Sequence, residues 1–467
     1  MSQRKKILII AHGHPDHAKG GGEMAAYNLH LGLEERDEFD TVFLARHDRD
    51  DLLHGGTPFA GTGRPKEILF HSTMPDWFRF SQPDKARVWR DFREVLEVCR
   101  PDIVHFHHYV HLGLELIREV RSFDPSISIV LTLHEYLAIC HNHGQMVKAH
   151  DQSLCHKATP SACNRCFPER SPQDFMLRER FIKSHFDLVD RFISPSEFLK
   201  QRHVDWGVPA ERIEVIENLL TPEARREARE SAENGTASER DANVADTVPS
   251  GPDGSLPKAP GKRAKVGRRS DDHPVRLAFF GQINAFKGLD YLLEAIDQLP
   301  KGMKRRVRLD INGSGLDRQP PHIRGPLEAR IVKLGDQVRL RGPYRPDELG
   351  TLMASADWMV IPSAWWENSP VVILEARRYG LPVIAANIGG MAEKIEHGKT
   401  GLHFMARRAD SLVEQIVYAA NHPEMRERCS AALRASWQPD RDLERHVALY
   451  GELRGERRER PLLKAVG

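Results

Sequence analysis

Short runs of consecutive apolar residues, set off by polar or glycine-rich segments, recur in two stretches of the chain. The first stretch holds Ile7–Ile10, Thr41–Ala45, Asp102–His107, Ser128–Leu133, Arg191–Ser194 and a closing Glu214–Asn218; the second holds Val275–Phe280, Val307–Ile311, Val338–Leu340, Trp358–Ile361 and Pro382–Ala385. Unalternating runs of this length read as parallel strands buried on both faces. Between them lie segments of helical spacing, such as Met24–Leu33 and one around Val88–Cys99. Strands alternating with helices predict a parallel sheet covered on both sides, formed twice.

A chain of 467 residues is too long for one core. The pattern divides it into an N-terminal domain over 1–220, a linker over 221–272, a second domain over 273–435, and a terminal helix with a basic tail over 436–467. The linker contains no aromatic residue and, alanine aside, only Val244, Val248, Leu256 and Val266 as aliphatics. Such a composition cannot offset its ordering entropy, so disorder is expected there. In the terminal helix Leu443, Val447 and Tyr450 fall on one face. The formal net charge of +2 gives no case for nucleic acid. No run approaches the roughly 18 to 20 apolar residues that span a membrane. Ile7–Ile10 is too short for a signal core, so a cytoplasmic location is expected. Trp77–Phe80 and Trp89 are candidates for peripheral membrane contact, with helix packing as the alternative.

The segment Glu367-Asn-Ser-Pro-Val-Val-Ile-Leu-Glu375 carries the most chemistry. It joins the apolar run at Trp358–Ile361 to a helix expected to reach about Tyr379, with Pro370 in the first turn and Glu375 about two turns in. The amides of Val371 and Val372 then become free donors at the positive end of the helix, suited to a phosphate. Glu367, with Asn368, and Glu375 flank that cradle as two carboxylates eight positions apart. A nucleotide-sugar site needs this arrangement, with phosphate between sugar and ribose hydroxyls. Upstream, Gly281-Gln282 opens a turn after the first strand of the second domain, and Lys287 offers a point charge to a diphosphate.

With Asn387–Glu393 and Gly398–Gly401 downstream, this half of the chain resembles the donor domain of the retaining glycosyltransferases of family 4, which have the GT-B fold. The resemblance covers about residues 5–220 and 275–450. It implies two Rossmann-like βα domains facing across a cleft, a first Glu (Glu367) contacting the donor sugar, a second (Glu375) holding the ribose, and backbone near Gly342 touching the base. It also implies a terminal helix that crosses back to the first domain. The family carries Arg after the first glycine, whereas this chain has Gln282, which removes one cation from the diphosphate. The resemblance further places a glycine loop, here Gly21, Gly22 and Glu23, against donor phosphates or acceptor, and His134 near the reacting sugar. His105, His107 and His108 end the neighbouring strand; for each of these a structural role is the commoner reading. No cofactor is required if the leaving phosphate itself takes the acceptor proton, with Lys287, Glu367 and His134 as the catalytic groups. Asp48-Arg-Asp50 reads as a loop.

Cys140, Cys155, Cys163 and Cys166 fall within a Cys-rich insertion over 140–170. Cys163-Asn-Arg-Cys166 has knuckle spacing, so a structural zinc is one reading, with free thiols and disulfides as the others. The expected activity is transfer of a sugar from a nucleotide-sugar donor to a hydroxyl on a glycan or lipid-linked acceptor. A non-catalytic nucleotide-sugar binding protein is the competing reading, suggested by Gln282. A related epimerase or phosphorylase is the third, and no pyridoxal-lysine signature supports the latter.

Overall fold

The computed structural model describes residues 4–235 and 274–453, apart from 19, 54, 74, 75 and 83. Contacts divide the chain into two compact units, Met1–Pro222 with Asp440–Gly467, and Glu223–Pro439.

The first unit is built on an eight-stranded sheet. Its strands are β1 (Lys5–Ala11), β2 (Phe39–His47), β3 (Phe59–Gly61), β4 (Glu67–His71), β5 (Ile103–Phe106), β6 (Ser128–Thr132), β7 (Arg191–Ser194) and β8 (Ile213–Val215), in the order β3-β4-β2-β1-β5-β6-β7-β8. All neighbours are parallel except the β3–β4 pair. The second unit has six parallel strands: β9 (Val275–Phe280), β10 (Val307–Asn312), β11 (Val338–Gly342), β12 (Trp358–Ile361), β13 (Val383–Ala386) and β14 (Gly401–Phe404), in the order β11-β10-β9-β12-β13-β14. Each unit therefore has the doubly wound α/β architecture of the GT-B class. In both, the chain starts in the middle of the sheet, builds outward, then returns to the other side of its first strand. That switch point lies between β1 and β5 in one unit and between β9 and β12 in the other. In open α/β sheets ligands bind beyond the carboxyl ends of the strands at such a point.

The apolar runs are buried for the expected reason: β5, β12 and β13 lose every side chain to the core. The terminal helix Arg441–Leu453 lays Leu443, Leu449, Tyr450 and Leu453 into the first unit's core beside Ile7, Phe39 and Ile103. Tyr450 hydroxyl lies 2.7 Å from His105 Nδ1, and Lys5 donates to the Tyr450 carbonyl.

Several elements differ from expectation. The chain adds β3, β4 and β14. The helix around Val88 starts earlier, at Lys85, capped by the Asp84 side chain. Most of the expected disordered linker lies outside the described residues, but its first part, Pro222–Gly235, is a helix. Ala224 and Ala228, one turn apart, are buried there, so alanine supplies the apolar face in place of larger aliphatics. The tail after Leu453 also lies outside the described residues. Among the described residues no helix is long and apolar enough to cross a membrane. Phe78 and Phe80 are buried, the carbonyl of Phe78 accepting from Arg178, while Trp77 is exposed.

Candidate functional site

In the second unit the loop after β9 and the loop after β12 meet at the switch point. Two glycines let these loops approach. Gly288 has φ +70°, and a Cβ there would run into the carbonyl of Pro362. Gly313, after β10, packs against the carbonyl of Gly281 in the same way. Backbone bonds from Ile283 N to Ser314 O (2.8 Å) and from Gly313 N to Gly342 O (2.8 Å) tie the loops after β9, β10 and β11 together. The Asn284 side chain accepts from the amides of Phe286 (3.0 Å) and Lys287 (3.2 Å), which fixes the turn presenting Lys287.

Lys287 Nζ lies 2.5 Å from Glu367 Oε1. The same oxygen accepts from Ser363 Oγ and Trp365 Nε1, each at 2.9 Å. All three donors converge on Oε1, and among the described residues none reaches Oε2. Burial would raise the Glu367 carboxyl, but Lys287 beside it and these hydrogen bonds hold it below the ordinary carboxylate range. Glu367 is thus a buried, ionised carboxylate with one oxygen still able to accept. The loop is locked from beneath, where Gly390 N donates to the Glu367 carbonyl (2.8 Å). At Gly389, φ +62°, an added Cβ would collide with that same carbonyl. Gly389→Ala is expected to destabilise the second unit by about 2 to 4 kcal/mol, from strain plus collision. A chemical melt showing less than about 1 kcal/mol of loss would contradict this packing.

The helix after this loop spans Val371–Arg378. Pro370 is its cap residue, one position earlier than expected, and Glu375 is the fifth helical residue, little more than one turn in. The earlier stop follows from Gly380, which turns the chain at φ +62° immediately after Tyr379. Val371 and Val372 are the first two helical residues, and their amides have no acceptor within the helix. Glu375 is pushed up to about 7 by burial, against the opposing pull of Arg378. Tyr344, on the loop after β11, is close enough to feel its charge and packs edge-on to Phe280 (5.7 Å). Gln282 is exposed.

In the first unit, loops after β1, β5 and β6 gather a cluster of histidines. Glu23, in the first turn of helix Gly21–Glu34, pairs with His12 Nε2 at 3.1 Å. Gly20 lies against the Glu23 carboxylate, which a Cβ there would have to displace. A Cβ on Gly22 would stand 3.2 Å from His12 and 3.7 Å from His134, so the glycine loop lies directly against both rings. His134 Nε2 lies 3.1 Å from His107 Nδ1 with the rings stacked, and His105 bridges Tyr450 and Thr132 at 2.7 Å each. Burial lowers His134 to about 4, so it is neutral at ordinary pH and acts as a hydrogen-bonding group, not a cation. His12, Ser363 and Trp365 were not singled out by sequence reasoning; for the last two the available signal was their nearness to Glu367 in the chain.

The cysteines remain free thiols. Cys166 Sγ lies 3.8 Å from His150 Nδ1, but among the described residues no three metal-ligand side chains form a group that could hold an ion. The donor set fits zinc in kind, and burial together with the neighbouring thiols raises Cys140, Cys155 and Cys163. Asp48 pairs with Arg46 and Asp50 stands in a single short turn, as a loop reading requires.

Each of the two units matches a glycosyltransferase family model. Residues 19–223 match the model described as Glycosyltransferase Family 4, and residues 262–436 match Glycosyl transferases group 1. The D-inositol 3-phosphate glycosyltransferase of Mycobacteroides abscessus is 32% identical over 156 residues, covering 33% of this chain and 33% of that protein. The enzyme of the same description from Actinosynnema mirum is 31% identical over 214 residues, 43% of this chain and 50% of its own length. The chain thus spans a third to a half of these curated relatives. Among solved structures, HepE of Anabaena in complex with UDP superposes with a TM-score of 0.60 at 16% identity, covering 96% of this chain and 100% of that one, a likeness of fold.

Proposed function

This chain belongs to the group 1, family 4 glycosyltransferases, and we propose that it transfers a sugar from a nucleotide-sugar donor to a hydroxyl acceptor with retention of the anomeric configuration. The observation that carries the reading is the Glu367–Lys287 pair at the β9/β12 switch point, followed by free helix amides and, one turn into that helix, the half-buried Glu375 carboxylate. In this reading Glu367 Oε2 accepts a hydroxyl of the donor sugar, Lys287 and the amides of Val371 and Val372 take the diphosphate, and Glu375 accepts the ribose hydroxyls. The bond from the anomeric carbon to the diphosphate oxygen breaks while the acceptor oxygen attaches on the same face. The acceptor's proton passes to the departing phosphate oxygen, so no protein base is consumed. Lys287 stabilises the charge developing on that phosphate without leaving Glu367. It does so without the usual arginine, since Gln282 brings no charge. We propose that no bound cation is needed and that transfer survives chelator.

Gly21, Gly22, Glu23 and His134 are assigned to the acceptor or the donor phosphates. The acceptor class we favour is a glycan or lipid-linked glycan. The relatives named for D-inositol 3-phosphate make a phosphorylated polyol the second class to try. HepE, solved with UDP, makes uracil the first base to try.

The test is calorimetry with UDP, GDP and ADP on wild type and on Glu375→Ala at pH 6 and pH 8. One nucleotide is expected to bind saturably and to lose about ten- to a hundredfold in affinity in the variant, the loss of hydrogen bonds to a charged group. With its carboxyl at about 7, Glu375 is mostly protonated at pH 6 and mostly ionised at pH 8. Wild-type affinity should therefore rise with pH, by up to about tenfold if only the ionised form binds. No binding by any of the three would overturn the donor-site reading.

A further inference from the structure

We infer that Trp365 is a positioning residue for the donor sugar: it aims the free oxygen of Glu367 and couples that carboxylate to the loop that carries Lys287. This rests on the donor-site reading above and assigns a role to a side chain outside the residues already given one.

The geometry has four parts. Trp365 Nε1 donates to Glu367 Oε1 at 2.9 Å, and the Trp365 carbonyl accepts from the Glu367 amide at 2.8 Å, so one residue holds both ends of Glu367. Its ring packs on Phe286 at 5.7 Å, inclined at 39°, and Phe286 immediately precedes Lys287. The backbone repeats the link, with Ala364 N donating to the Phe286 carbonyl at 2.8 Å. From the other side Arg407 Nε donates to the Ala364 carbonyl at 2.7 Å.

The consequence follows from how a carboxylate turns. Rotation about its terminal torsion exchanges the two oxygens at little intrinsic cost. Lys287 has a flexible stem and can follow either oxygen, and a serine hydroxyl rotates to suit. The indole cannot: its N–H is fixed in the ring plane, and that ring is packed against Phe286. Of the three donors on Oε1, Trp365 is the rigid one, and it determines that Oε1 is consumed by the protein while Oε2 is left for the ligand. A sugar hydroxyl then meets an oxygen already oriented and charged.

Two measurements test this. The first is an ¹⁵N-tryptophan spectrum of wild type, with the Trp365 indole resonance identified by its loss in Trp365→Phe, during titration with UDP and then UDP-glucose, and with the GDP and ADP counterparts if those are the nucleotides bound. The resonance should shift on adding the nucleotide-sugar beyond any shift the nucleotide alone produces. The second is calorimetry on Trp365→Phe, which keeps a ring against Phe286 and loses the N–H. Its affinity for the nucleotide alone should stay within about twofold, while the extra affinity gained from the sugar, and kcat, should fall about tenfold. A merely structural role would weaken nucleotide and nucleotide-sugar equally and lower the melting temperature. That outcome, or an unchanged response to the sugar, overturns the inference. If wild type binds no nucleotide, the donor-site reading fails first, and the two failures are told apart by that control.

Discussion

Replacing Glu367 with Gln should lower donor turnover by about a hundred- to a thousandfold, the loss associated with removing one preorganised charged contact from a transition state. Glutamine keeps the volume and can still accept from Lys287, Ser363 and Trp365 through its single carbonyl oxygen. What disappears is the charge and the second acceptor. The substitution separates two roles that an alanine would confuse. Nucleotide binding should persist, because Glu375 and the amides of Val371 and Val372 are untouched. Folding should suffer little, because Lys287 is partly exposed and can be rehydrated. The reverse substitution is expected to be worse for stability. Lys287→Ala leaves a buried carboxylate without its cation, and because Lys287 is partly exposed the cost falls at the lower end of that for breaking a buried pair, about 3 kcal/mol. If Glu367→Gln turned over donor at the wild-type rate, Oε2 would not be the oxygen the sugar meets.

Acid should unfold the first unit before the second. His203 and His446 are buried and His134 is half-buried, all three are held near 4 by desolvation, and burial places His105, His107 and His108 well below the ordinary histidine value too. For each, the folded state refuses a proton that the unfolded chain accepts near 6.5. The stabilisation is therefore complete above about pH 6.5 and is lost as pH falls from there toward the folded values. A histidine with a folded value near 4 costs about 2 kcal/mol at pH 5. Three such groups cost about 6 kcal/mol, comparable with the whole stability of a typical domain. The second unit has His403 near 4 and His397 lowered less strongly, so it should outlast the first. Two of the six groups, His105 and His446, adjoin or belong to the terminal helix, so that helix should loosen early. Thermal melts at pH 7.5 and pH 5, with amide exchange to assign the units, check this. A first unit equally stable at both values would contradict the buried, neutral state of these rings.

The strands were legible in the sequence because parallel strands buried on both faces must be apolar throughout, and the loops carrying Lys287 and Glu367 were legible because glycine and proline mark them. That the two loops meet follows from topology: they leave neighbouring strands at the switch point, although 80 positions separate the residues. Elements that escaped notice break the local rule for a tertiary reason. Strand β4, Glu67–His71, begins with a buried charge, tolerable because Arg64, Thr62 and Tyr27 all donate to Glu67. Strand β14 carries a glycine and a histidine. Gly401 is needed there because a Cβ would meet the Val383 carbonyl on β13. The histidine cluster could be read as strand ends, but not as one connected set. His105 is tied to Tyr450, 345 positions away, and no local pattern encodes that.

The central claim is that this chain consumes a nucleotide-sugar at the Glu367–Lys287 site. It is tested most directly by following release of nucleoside diphosphate from a panel of UDP-, GDP- and ADP-sugars, with wild type and Glu367→Gln side by side. One donor should be consumed by wild type, with turnover falling about a hundredfold or more in the variant while nucleotide binding remains. No release from any donor, or equal release by both proteins, would contradict it.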